Sequence, residues 1–155
     1  MKNIRYLTTA AIIAALYAAL TISFAPLGFG LVQFRISEIL TVLPFFTPAA
    51  IPGLFIGCIV SNFFSPFSFI DVFVGSGATL LAAYLSHKMP NKWLVPIPPV
   101  ICNAVFVGIE LSIVYKYPIL ISILSVGFGE AVVCFTGGYL LILALEKFKG
   151  KIFDF

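Results

Sequence analysis

Charge is the scarcest thing in this chain. Of its 155 residues only 10% are Asp, Glu, Lys or Arg, and one is histidine. Soluble domains carry about a quarter charged and about half apolar residues. Here the apolar share is 61% and the mean hydropathy is +1.15. A soluble fold of 16.8 kDa has too little interior for that much Leu, Ile, Val and Phe. A water-soluble domain is therefore excluded, and lipid is the expected solvent.

Other absences narrow the function. There is no GxxxxGK run followed by Ser or Thr, so ATP hydrolysis by that phosphate-binding loop is not expected here. Neither HExxH nor GxSxG occurs, which removes two common hydrolase signatures. Cys58, Cys102 and Cys134 are far apart, lie among apolar residues and form no CxxC. They read as small packing residues rather than metal or redox groups. The chain is expected to bind something without being an enzyme, and to need no cofactor or metal.

A bilayer core of about 30 Å takes about 20 helical residues per crossing. Six crossings use about 120 positions and leave about 35 for loops and tails, too few for a soluble domain. The expected architecture is all-α, an integral membrane bundle of six helices, with residues 1–155 as one domain. The spans fall near residues 4–25, 34–47, 49–65, 71–86, 95–114 and 119–145. Pro26–Val32 is a Pro/Gly loop, Pro44, Pro48 and Pro52 divide the second span from the third, and Ser65-Pro66 and Lys116-Tyr117-Pro118 are turns. The first span follows Lys2 and Arg5 like a signal peptide. No small-residue cleavage site leads into polar sequence, so it is expected to stay as a helix.

Six spans put both termini and the 87–93 loop on one side. Lys2, Arg5, Lys88, Lys92, Lys147, Lys149 and Lys151 lie there, against Lys116 and nearby Arg35 on the other. Short-loop Lys/Arg bias sets orientation, so the lysine-rich side is expected to be cytoplasmic. The same placement accounts for the net charge of +3 better than nucleic-acid binding does. Trp93, Tyr115 and Tyr117 read as interface anchors.

Polar residues inside apolar stretches are the informative ones: Gln33, Arg35, Glu38, Asn62, Asp71, Asn103, Glu110 and Glu130. A charge at a helix centre costs about 2.5–3.5 kcal/mol to insert, so such groups face an interior and are functional candidates. They come from five of the six spans and gather toward one face, with Asn103 and Glu130 deeper. Structural readings stand beside the functional one. Arg35 and Glu38, three apart, fit an ion pair; Asp71 fits a helix N-cap; Asn62 and Asn103 fit helix-bridging hydrogen bonds. Glu110 and Glu130 have no basic neighbour in sequence. One arginine against four acids leaves a formal −3, which disfavours an anionic cargo and favours a cation or a molecule rich in N–H donors. In the first helix Ala10, Ala14 and Ala18 form a smooth strip, with Ala11, Ala15 and Ala19 beside it, suited to close helix contact within the chain or with a partner.

The run PLGFGLVQFRISEILTVLPFFTPAAIPGLFIGCIVSN at 26–62 resembles the QueT family of queuosine-precursor transporters. So do DVFVGSGATLLAAYLS at 71–86 and PPVICNAVFVG at 98–108, while GFGEAVV at 127–133 fits more loosely. That resemblance implies the substrate-binding (S) component of an energy-coupling factor transporter. It implies six transmembrane helices, docking on a transmembrane coupling subunit with two ATPase subunits, and a 7-deazaguanine substrate such as preQ0, preQ1 or queuine. It also implies that Ala10, Ala14 and Ala18 contact the coupling subunit. Carboxylates suit the N1–H and amine of a guanine-like edge. The rival readings are an S component for another vitamin-like solute, a proton-coupled carrier or channel using Glu110 and Glu130 as relays, and a structural subunit that binds no solute.

Overall fold

Seven α-helices, two 3-10 segments and one π turn make up the computed structural model, which describes residues 2–30, 32–65 and 68–148; no strand occurs among them. Pro66, Lys149 and Lys151, invoked above for a turn and for orientation, lie outside the described residues, as does the Lys2 side chain.

Helix α1, Lys2–Ser23, has no Gly or Pro within it. Proline is tolerated only in a first helical turn, so Pro26 restarts the chain as the single turn α2, Ala25–Gly28. The loop folds back through the Phe34 amide, which donates to the Leu27 carbonyl at 2.9 Å.

Residues Ile36–Phe45 then form a ten-residue 3-10 helix, where an α-helical span over 34–47 was expected. Such runs rarely exceed three or four residues. Two local features favour it: Pro44 has no N–H to donate, and the Thr41 hydroxyl donates to the Glu38 carbonyl three residues back at 2.6 Å. Overwinding lengthens the reach, to about 20 Å against about 15 Å for ten α-helical residues. The segment is the axis of the bundle, touching α1 and the helices Ala50–Asn62, Ser68–His87, Ile119–Val133 and Tyr139–Glu146, and burying Ser37, Glu38, Thr41, Val42, Leu43 and Pro44.

Around it run α3 (Ala50–Asn62), α4 (Ser68–His87), α5 (Ile97–Tyr115, entered through the 3-10 turn Lys92–Leu94) and α6 (Ile119–Val133). A π turn, Cys134–Gly138, joins α6 to α7, Tyr139–Glu146. Helices pack in the sequence α1 on α3, α3 on α4, α4 on α5 and α5 on α6. A Cβ added at Gly53 or Gly57 of α3 would stand 2.7 Å from the carbonyl of Ala10 or Ala14, so these glycines let the two backbones meet.

Four stretches are long and apolar enough to cross a bilayer: Asn3–Ser23, Phe69–His87, Lys92–Tyr115 and Ile119–Glu146. The second and third expected spans are shorter, the 3-10 segment with 10 residues and α3 with 13. At 1.5 Å per residue α3 is about 20 Å long, less than the hydrocarbon core. Large apolar side chains face outward, including Phe69, Phe73 and Ile113, each more than 70% exposed. Such a surface belongs in lipid.

Candidate functional site

The expected polar residues are buried inside the bundle, Arg35, Asn62 and Asp71 toward the end where α1, α3 and α5 finish and α4 and α6 begin, Asn103 and Glu130 deeper. Gln33, Arg35, Glu38, Asn62, Asp71, Asn103, Glu110 and Glu130 are all at most 5% exposed. The 3-10 segment and the extended backbone before it carry the first three. This backbone reaches the interior beside Gly129 of α6, where the Gln33 carbonyl oxygen leaves no room for a Cβ.

One half of the cluster ties the α3–α4 connection to Arg35. The guanidinium donates through Nη2 to Asn62 Oδ1 at 3.2 Å, and Asn62 Nδ2 donates to the Asp71 carbonyl at 2.8 Å. Asp71 sits in the first turn of α4, and its carboxylate accepts the Ser65 hydroxyl. Asn62 is thus a bridge between elements, as one structural reading held, and it also holds Arg35 in place. The guanidinium lies over the Phe29 ring, 5.3 Å from its centre.

The other half gathers carboxyls. Glu38 Oε1 accepts the Tyr17 hydroxyl from α1. Cys134 Sγ lies 3.7 Å from Glu130 Oε2 and 3.8 Å from the Glu38 carbonyl. The Asn103 amide of α5 lies against the carboxyls of both Glu38 and Glu130, close enough for side-chain hydrogen bonding to each. Neither polar atom of its amide, however, has a hydrogen bond of ordinary geometry. The Arg35 charge acts on Glu38 and Glu130 together.

The expected Arg35–Glu38 ion pair does not form. Among the described residues the direct ion pair is Lys92–Glu146, 2.9 Å apart near the opposite end. Spacing of three brings side chains together only if both share one helix. Arg35 instead has extended backbone (φ −79°, ψ 97°) just before the 3-10 segment. It turns to Asn62 while Glu38 turns to Tyr17.

Glu110 stands apart. Its carboxyl shares a side-chain hydrogen bond with Asp71 and lies within electrostatic reach of Arg35, and it lines a groove between α4 and α5 rather than joining the Glu38–Asn103–Glu130 group.

The alanine strip is split. Ala10 and Ala18 are buried and Ala14 is half-buried, while Ala11, Ala15 and Ala19 face outward. Ala10, Ala11 and Ala14 line a groove of about 450 Å³ with Tyr6, Leu7, Pro52 and Ile56.

Sequence reasoning missed Tyr17, Thr21, Ser37 and Thr41. Thr21 Oγ1 donates to Ser37 Oγ at 2.6 Å, and Tyr17 is fully buried. A signal was present: Tyr17 and Thr21 are four apart on one face of an otherwise apolar helix, pointing the way Ile13 and Ala10 point. The cysteines were read as packing only, yet Cys58 Sγ accepts from Thr79 at 3.3 Å and from Asn62 Nδ2 at 3.4 Å.

What remains open in the cluster is chemically specific. Arg35 Nε, both polar atoms of the Asn103 amide and Glu38 Oε2 have no hydrogen bond of ordinary geometry, although Asn103 lies against Glu38 and Glu130. A buried polar group left unpaired costs about 1–3 kcal/mol. Several around one point make a site that a small molecule with both donors and acceptors would complete.

The chain matches the QueT transporter family over residues 7–147. A curated relative, the queuosine precursor transporter QueT of Lactococcus lactis subsp. cremoris (strain MG1363), is 30% identical over 151 positions, covering 87% of this chain and 89% of the relative. No solved structure matches. With apolar helices long enough to cross a bilayer several times and a family match over nearly its whole length, this multi-pass membrane protein belongs to the QueT transporter family.

Proposed function

We propose that the chain is the substrate-capturing membrane subunit of an ATP-driven importer and that its cargo is a 7-deazaguanine precursor of queuosine. The observation that carries this reading is the set of buried groups around Asn103 whose hydrogen bonding is incomplete or of poor geometry. A guanine-like edge presents two adjacent donors, N1–H and the exocyclic amine, beside one carbonyl acceptor. Glu38 and Glu130 suit the donors, Arg35 and Asn103 suit the carbonyl, and Asn103 can serve both kinds of partner. Gln33, Asn62 and Asp71 are assigned to holding that edge in place. An aminomethyl cation on the deazapurine ring would add attraction to the surplus acids. The relative's printed substrate supports the same reading.

Calorimetry of the purified chain against a panel of deazaguanines, with adenine and guanosine as controls, tests it. Deazaguanines should bind and adenine, whose corresponding edge has donor and acceptor positions changed, should not. Binding of none of the panel would end the assignment.

In this reading the 3-10 segment and α3 complete six crossings. Other helices sheathe the 3-10 segment, which relieves it of facing lipid along its length. The lysine-rich side, with Lys88, Lys92 and Lys147, is cytoplasmic, as are both termini. The coupling subunit, carrying two ATPase subunits, seats in the groove between α1 and α3 beside Ala10, Ala11 and Ala14. Ala18 supports the same helix from within. Ala14→Trp should leave deazaguanine binding in detergent intact and abolish cellular uptake. Loss of both would return the strip wholly to internal packing.

A further inference from the structure

Asn62 ends α3 fully buried, and each polar atom of its amide is engaged. The nitrogen has two hydrogens to give. One goes to the Asp71 carbonyl at 2.8 Å and one to Cys58 Sγ at 3.4 Å. That leaves Oδ1 to accept Arg35 Nη2 at 3.2 Å. A flipped amide would set N–H against guanidinium and oxygen against the Asp71 carbonyl, so one orientation alone holds Arg35. The Cys58 sulfur is itself held in place. Thr79 Oγ1 of α4 lies 3.3 Å from it and 3.0 Å from the Gly75 carbonyl, and the Tyr17 hydroxyl is within hydrogen-bonding reach of it.

Gly75 closes the other side of this amide. It is buried within α4, where glycine lowers helix stability relative to alanine. A Cβ there would stand 2.8 Å from Asn62 Nδ2, and outside its own helix it would meet nothing but that side chain within 4 Å. Gly77, two residues on, is exposed, and a Cβ there meets nothing within 4 Å. The first glycine makes room for the amide; the second makes room for nothing.

We propose that Gly75 and Cys58 are positioning residues for solute recognition. Gly75 gives the Asn62 amide its space, Cys58 fixes its orientation, and the amide aims Arg35 at the ligand carbonyl. The last step rests on the deazaguanine reading; the hold on Arg35 does not. A methyl group at residue 75 displaces the amide, Arg35 loses that acceptor, and the guanidinium is free to turn.

The hold on Arg35 is tested without ligand. Arg5 and Arg35 are the two arginines of the chain, so isotope-labelled arginine gives two sets of guanidinium signals by nuclear magnetic resonance, and Arg5→Lys tells them apart. In nanodiscs a held Arg35 should show separate signals for its two Nη nitrogens. Gly75→Ala and Cys58→Ala should merge them, while Gly77→Ala and Cys58→Ser, which keeps an acceptor, should not. Merged signals in the unaltered chain, or Arg35 signals unmoved by Gly75→Ala, overturn the proposal. Should Gly75→Ala fail to fold, the contrast between Cys58→Ala and Cys58→Ser decides it in the same way.

Calorimetry tests the ligand step. Deazaguanine and its thiocarbonyl analogue share the N1–H and the amine, and differ in the carbonyl oxygen, sulfur being the poorer acceptor. Gly75→Ala should lower affinity about tenfold for the oxo compound, one charge-assisted hydrogen bond, and about twofold or less for the thio compound. Equal losses for the two compounds overturn the assignment of Arg35 to the carbonyl. Binding of neither compound by the unaltered chain, with Arg35 signals behaving as expected, ends the deazaguanine reading and leaves the positioning role supported.

Discussion

The two ends of the bundle handle polar groups in opposite ways. At the end with Lys92 and Glu146, the groups are exposed or satisfied locally. Lys92 Nζ meets both Glu146 oxygens at 2.9 Å, the Tyr139 hydroxyl donates to the Trp93 carbonyl at 2.5 Å, and Ser86 Oγ donates to the Val95 carbonyl at 2.9 Å. His87 Nδ1 lies 2.6 Å from the Pro44 carbonyl, pinning the foot of the 3-10 segment. At the Arg35 end the groups are buried, and several have no partner. A fold optimised only for stability would have removed them or paired them. Unmet hydrogen-bonding capacity, more than polarity itself, distinguishes the Arg35 end from the Lys92 end in this molecule.

Three substitutions press on that contrast, in falling order of expected effect. Glu130→Gln exchanges a carboxylate acceptor for a donor and removes a charge without changing shape. Charge-assisted hydrogen bonds contribute about 1.5–3 kcal/mol, so deazaguanine affinity measured by calorimetry should drop about ten- to a hundredfold while membrane expression holds. Unchanged affinity would take Glu130 out of the site.

Asn103→Leu is the sharpest of the three, because it should move binding and stability in opposite directions. The substitution keeps approximate volume and deletes two buried atoms that have no hydrogen bond of ordinary geometry. Thermal unfolding in detergent without ligand should show a gain of about 1–2 kcal/mol, with binding weakened by about tenfold or more. A loss of stability would mean that the amide is paired in the folded protein and that the two ends do not differ as described.

The smallest effect belongs to the other end. The Lys92–Glu146 pair is about one-third exposed on both sides. Lys92→Met with Glu146→Gln should change stability by about 0.5 kcal/mol or less and leave deazaguanine binding unaltered. A change in affinity would show that this end is coupled to the site and is more than a scaffold.

The burial of the embedded polar residues was legible before any coordinates. Charges in apolar sequence must be sheltered, and all eight residues so identified are buried. Their division into pairs was not legible. The Arg35–Glu38 spacing suggested a pair only on the assumption of one α-helix, and the chain there is extended and then 3-10. Tyr17 escaped notice because an aromatic residue in an apolar helix carries no polar signal until its hydroxyl is seen against Glu38. Glu110 and Glu130 looked alike in sequence, yet one faces a lipid-side groove and the other the interior cluster.

Composition alone determined that this chain lives in lipid, that its basic residues flank its spans and that its embedded polar residues are the ones to explain. It could also set breaks in the helices, since proline acts locally through its missing N–H and fixed φ. Tertiary structure decided which face of each helix turns inward. In water an apolar stripe marks the buried face, but here both lipid and protein interior are apolar, and the stripe loses its meaning. Ala10 and Ala11 are chemically identical neighbours; only the approach of Gly53 on α3 buries the first and leaves the second outside.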